Sequence, residues 1–184
     1  MAGSEKYSTF YLNGICFGVP VERVQEVMEF QEITAVPLSP MVLPGIINLR
    51  GQIITTIDLK TRLELSGEGG SAQPMMIVVR TSDGPINLVV DRIGNVMDVD
   101  PERFEKPTET LKPGVRSVTT HVCKLEDRLL LVLDTEKNYR FAGWPKSHDR
   151  TQDKDNHVKG CTAASLVRLK MKWHKKFSET RREE

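Results

Sequence analysis

The feature that most narrows the possible folds of this chain is an internal repeat. Val21-Glu22-Arg23-Val24-Gln25-Glu26-Val27-Met28 aligns without a gap to Val90-Asp91-Arg92-Ile93-Gly94-Asn95-Val96-Met97, four positions being identical and two conservative, at an offset of 69 residues. Each copy follows a predicted hairpin. Asn13-Gly14 separates Ser8–Leu12 from Ile15–Val19, and Asp83-Gly84 separates Met75–Arg80 from Ile86–Val90. Such dipeptides suit two-residue hairpin loops, whose central residues need positive φ. Two more hairpins are predicted, one turning at Arg50-Gly51 between Ile46–Leu49 and Ile53–Leu59, the other at Glu126-Asp127 between Val118–Leu125 and Leu129–Leu133. Each half thus offers two hairpins, so the chain should fold as two related β units. Within the first copy, Val21, Val24 and Val27 or Met28 recur near helical spacing after Pro20, which predicts one or two helical turns.

The repeat also sets the boundaries. The expected units are residues 7–66 and 75–138, joined by a Gly- and Ser-rich linker at 67–74. That linker lacks the GKS or GKT ending of a phosphate loop. A polar stretch with three prolines, Asp100 to Pro113, reads as a surface connector. Beyond Glu136 the β texture stops, and residues 139–184 hold both tryptophans and three of the four histidines. Charge divides at the same place: the formal net of +1 is a body at −5 and a tail at +6. In the tail, Val167-Arg168-Leu169-Lys170-Met171-Lys172-Trp173 alternates like a strand, while Leu166, Leu169, Trp173 and Phe177 also share a helical face. Periodicity does not choose between the two. The run from Pro145 to Gly160 is poor in large apolar residues and is expected to be disordered.

Little in the chain points to catalysis. No GxSxG, HExxH, P-loop or GxGxxG pattern occurs. Cys16, Cys123 and Cys161 are too few and too scattered for a disulfide framework and are expected to be reduced thiols. His121 and Cys123 stand two apart with no further metal ligand near them, and read as an ordinary strand pair. Asp58 and Asp134 each end a strand, where a carboxylate accepts hydrogen bonds from turn amides. No run reaches the ~20 apolar residues of a membrane span, and the chain is expected to be cytoplasmic. An acidic body with few aromatics is a poor nucleic-acid binder, whereas Lys170, Lys172, Lys175, Lys176, Arg181 and Arg182, interleaved with Trp173 and Phe177, could meet nucleic acid or an anionic membrane. Arg50 interrupts a strongly apolar hairpin, where it is either a solvated turn residue or a forked contact to a carboxylate.

The run GIINLRGQIITTIDL (Gly45 to Leu59), with FGVPVERVQEVM before it and NLVVDRIGNVMDV after it, resembles the CheW-type chemotaxis coupling proteins. The similarity covers about residues 7–137. It implies an all-β fold of two small five-stranded SH3-like β-barrels packed side by side with short helical turns, to which a C-terminal extension is added here. It also implies a non-enzymatic scaffold without cofactor or metal, linking the cytoplasmic tip of transmembrane chemoreceptors to the regulatory domain of the histidine kinase CheA. On the matching positions, Val24, Glu26 and Arg50 are the implied receptor contacts, and Met75 falls near the groove between the barrels. Asn87 stands where the family often has Gly, and nothing in the family explains residues 139–184.

Overall fold

Many strands of this chain are apolar at consecutive positions, which suits a strand buried on both faces. In a computed structural model, which describes residues 4–65 and 71–137, twelve strands form. They are β1 (Glu5–Leu12), β2 (Ile15–Pro20), β3 (Val24–Glu29), β4 (Thr34–Ala35), β5 (Gly45–Leu49), β6 (Gln52–Asp58), β7 (Met75–Thr81), β8 (Gly84–Val90), β9 (Arg92–Val99), β10 (Phe104–Glu105), β11 (Thr119–Lys124) and β12 (Leu129–Leu133). Among the described residues helix is limited to α1 (Leu59–Arg62), α2 (Pro113–Val118) and single 3-10 turns at Val21–Arg23 and Pro101–Arg103. The strands make two six-stranded sheets, ordered β10-β11-β12-β2-β1-β9 and β3-β7-β8-β6-β5-β4.

The halves exchange hairpins. β1 and β2 join the sheet that holds β9 to β12, with β1 antiparallel to β9 and β2 parallel to β12. Likewise β7 and β8 join β3 to β6, with β7 antiparallel to β3 and β8 parallel to β6. In both copies the repeated segment therefore pairs with the opposite half's first hairpin. The division into contiguous units 7–66 and 75–138 does not coincide with the two sheets, because self-similarity of sequence does not say which copy of a hairpin an edge will pair with.

Exchange explains the apolar runs. Tyr7, Cys16, Leu130 and Val132 face a core enclosed by the first sheet, whereas their neighbours Phe10, Phe17, Leu131 and Leu133 face a larger core between the sheets. The second sheet behaves alike: Met76 and Val78 look into its own core with Ile47, Leu49 and Ile54, and Ile77 and Val79 look into the shared one. Central strands thus bury both faces, at about 1.5–3 kcal/mol for each large side chain. The peripheral β3 alternates half-buried and exposed.

Three sequence expectations need correction. Only Val21–Arg23 is helical, and Val24–Glu29 is a strand, because pairing with β7 and the β-branched Val24 and Val27 outweigh the spacing. The second hairpin loop is Ser82-Asp83, with Gly84 already inside β8 at φ 119°. Each sheet has six strands where five were expected. Other readings hold. Asp58 accepts from the amides of Lys60 and Thr61 (3.0 and 3.5 Å), and Asp134 from those of Glu136 and Lys137 (2.9 and 3.1 Å). Cys16 and Cys123 are buried free thiols, and His121 lies against the Phe104 ring at 5.4 Å. Asn87 is fully buried and donates to Thr56 Oγ1 at 3.1 Å. At its repeat counterpart Gly18, an added Cβ would lie 3.0 Å from Leu130 Cδ1. The tail, Cys161 and residues 66–70 of the linker region lie outside the described residues.

Candidate partner-binding site

Arg50 sits at the tip of the β5–β6 hairpin, in a two-residue turn whose central residues have φ 53° (Arg50) and 84° (Gly51). Two positive φ values make this a type I′ turn, favoured because its twist matches that of the flanking strands. The second position carries the usual Gly. The first normally takes Asn, Asp or Gly, and an arginine held there costs about 1 kcal/mol. Asn48 Oδ1 supports the turn by accepting from the Gly51 amide at 2.8 Å. The guanidinium projects into solvent, 80% exposed, and its Nη2 donates to Glu26 Oε1 at 2.9 Å.

Glu26 owes its position to a bulge. The register of β3 on β7 shifts between Val24 and Glu26, so Val24 packs towards the core between the sheets while Met28, in step with Glu26, packs towards the core of the second sheet. β7 and β8 separate β3 from β6, which in a flat sheet would hold those strands roughly 14 Å apart at about 4.8 Å per strand. The Arg50–Glu26 contact therefore requires the sheet to bend, and the ion pair bridges β3 and the tip of the β5–β6 hairpin.

Val24 and Met75 lie elsewhere. Both are half-buried against the core between the sheets, Val24 opposite Val79 and Met75 opposite Glu29, at the two ends of the β3–β7 ladder. Four register steps separate them, roughly 13 Å at about 3.3 Å per residue. The four predicted residues thus form two groups: an ion pair between β3 and the β5–β6 tip, and two apolar residues half-buried against the core between the sheets. Val42, Leu43 and Ile93 are also half-buried against that core.

One polar cluster escaped sequence reasoning. Asp91, between β8 and β9, takes Lys60 Nζ at 2.6 Å, the Asn13 amide at 2.8 Å and the Ser71 amide at 3.4 Å. It ties α1 to the β1–β2 turn across the exchanged halves. Separation in sequence hid it, although Asp91 belongs to the repeat.

The CheW-like domain family profile matches residues 6–141. The chain belongs to the CheW-like family. The chemotaxis protein CheW of Bacillus subtilis is 28% identical over 130 residues, covering 71% of this chain and 83% of the relative. That of Thermotoga maritima is 30% identical over 129 residues, covering 70% and 83%. Among solved structures, the scaffolding protein TtCheW of Thermoanaerobacter tengcongensis superposes with a TM-score of 0.69 at 28% identity, covering 76% of this chain and 95% of that one. The chain is a chemotaxis scaffold protein of this family. Among the described residues no helix is long and apolar enough to cross a membrane, and no group of three metal-ligating side chains occurs.

Proposed function

We propose that this CheW-like protein couples transmembrane chemoreceptors to the histidine kinase CheA, binding the receptor's cytoplasmic tip and the kinase's regulatory domain without catalysis of its own. In this reading it is a cytoplasmic adaptor recruited to receptor arrays, and each sheet closes into an SH3-like barrel. The observation that carries the receptor site is Arg50: a residue kept in an unfavourable left-handed turn conformation and left 80% exposed is one whose value lies outside the fold. A receptor tip is a helical hairpin. The apolar stripe of such a helix fits a seam edged by Val24 and Met75, while Arg50 and Glu26 set register and reject partners of the wrong charge.

Arg50→Glu tests the site. An exposed turn charge contributes little to stability, so the variant should fold as the wild type does and lose binding to a receptor cytoplasmic fragment. Undiminished receptor binding by a folded Arg50→Glu protein would remove Arg50 from the site. Nothing in the described residues favours the alternative of a nucleic-acid or membrane binder.

A further inference from the structure

The outer side of β3 and the residues just after it form a surface with an unusual make-up. β3 ends its sheet and is paired with β7 on one side only. Val27 and Phe30 are 40% and 47% exposed there. Around them Glu22, Glu29 and Glu32 are all exposed. Of the cations close to β3, Arg23 pairs with Glu136 at 3.5 Å and Arg50 with Glu26. An edge strand with exposed apolar groups is an invitation to pairing unless something covers it.

The chain itself carries a segment of complementary chemistry. The family profile stops at residue 141, yet the sequence continues with twelve basic and six acidic residues in 139–184. Between Leu166 and Phe177 it places Arg168, Lys170, Lys172, Lys175 and Lys176 among Leu169, Met171 and Trp173. The exit point matters as much. Glu136 is held to Arg23, so the chain leaves the body beside the start of β3. Even at the 1.5 Å rise per residue of a helix, the 28 residues of 138–165 cover about 42 Å, more than the length of β3.

We propose that Leu166–Phe177 docks in cis on the acidic and apolar surface of β3 and residues 30–32, its lysines against Glu29 and Glu32 and its aromatic residues on Val27 and Phe30. Because β3 also carries Val24 and Glu26, the docked segment competes with a receptor for that strand. The competition, unlike the docking, rests on the receptor-site reading above.

The sequence supplies its own probe, since both tryptophans, Trp144 and Trp173, lie in the tail and none in the body. In the full chain carrying Trp144→Phe, Trp173 should emit to the blue of free indole and be shielded from acrylamide at low salt. Raising ionic strength to 1 M, where charges are screened beyond about 3 Å, should shift the emission to the red and remove the shielding. Glu29→Lys with Glu32→Lys, both at exposed positions, should do the same at low salt. An emission that matches free indole in every condition would overturn the proposal, as would shielding untouched by the charge reversal. A shift that grows with protein concentration would assign the contact to a second copy and equally refute docking in cis. So would capture of Trp173 by phosphatidylglycerol vesicles with no difference between wild type and the reversed variant. Because the fluorescence needs no partner, its failure leaves the coupling function untouched; loss of receptor binding in the tail-deleted chain would instead speak against the receptor site.

Discussion

At Arg50 two small energies oppose each other. Replacing it by Asn relieves the left-handed strain, worth about 1 kcal/mol, and removes an exposed ion pair worth roughly 0.2–1 kcal/mol. Arg50→Asn should therefore move the urea midpoint little while weakening receptor binding; a large loss of stability would make Arg50 a structural residue. Tyr7 gives a pH prediction. Burial, followed by the hydrogen bond it donates to Glu5 Oε2 at 2.6 Å, pushes its phenol well above the usual tyrosine range. A group whose folded pKa is raised contributes stability that is complete below its unfolded value, about 10, and is lost as pH climbs above it. Stability should fall on the alkaline side from near pH 10, and Tyr7→Phe should flatten that limb in a series of denaturation curves. Burial likewise raises the thiols of Cys16 and Cys123, so both should resist alkylation in the native state at neutral pH. The sequence marked Arg50 as a turn charge but could not name its carboxylate, because Glu26 lies 24 residues away and meets it only through the curl of the sheet.

Hairpins were the legible elements: Asn13-Gly14 forms the turn its dipeptide favours, and Gly51 marks the second turn although Arg50 is strained in it. β3 was not. Its bulge inserts an extra residue and breaks the period of two, and Val21, Val24 and Val27 then mimic a helical spacing. Glycine positions test the elements. Gly45 pairs with Ala35 of β4, and a Cβ there would lie 2.1 Å from the Thr34 carbonyl oxygen. That atom is backbone and cannot swing aside. Gly45→Ala should cost at least the 1–3 kcal/mol typical of overpacking and detach β4, which hydrogen exchange at Ile46 would register. Gly51→Ala meets no atom within 4 Å and strains only φ, so its cost should stay near 1 kcal/mol.

For the molecule as a whole, exchange of hairpins makes each sheet depend on both halves. Asp91 holds that arrangement together, with Lys60 and Asp91 side chains 22% and 16% exposed and the Asn13 amide on the other oxygen. Asp91→Ala should lower unfolding free energy by about 1–3 kcal/mol in a single cooperative transition, because it removes an ion-pair partner of the half-buried Lys60 ammonium and the carboxylate that accepts from the Asn13 amide. Two separate transitions would mean that the halves fold independently. The repeat announced a duplicated architecture, but pairing partners are a tertiary choice that composition and periodicity leave open. Charge was legible only when divided, with an acidic body and a basic tail concealed in a net of +1.

The coupling function is tested most directly by sedimenting receptor-bearing membranes with purified CheA in the presence and absence of this protein. Kinase should pellet with the membranes only when the chain is added, and Arg50→Glu should abolish the effect while still binding kinase in solution. Equal amounts of pelleted kinase with and without the chain would contradict a coupling role.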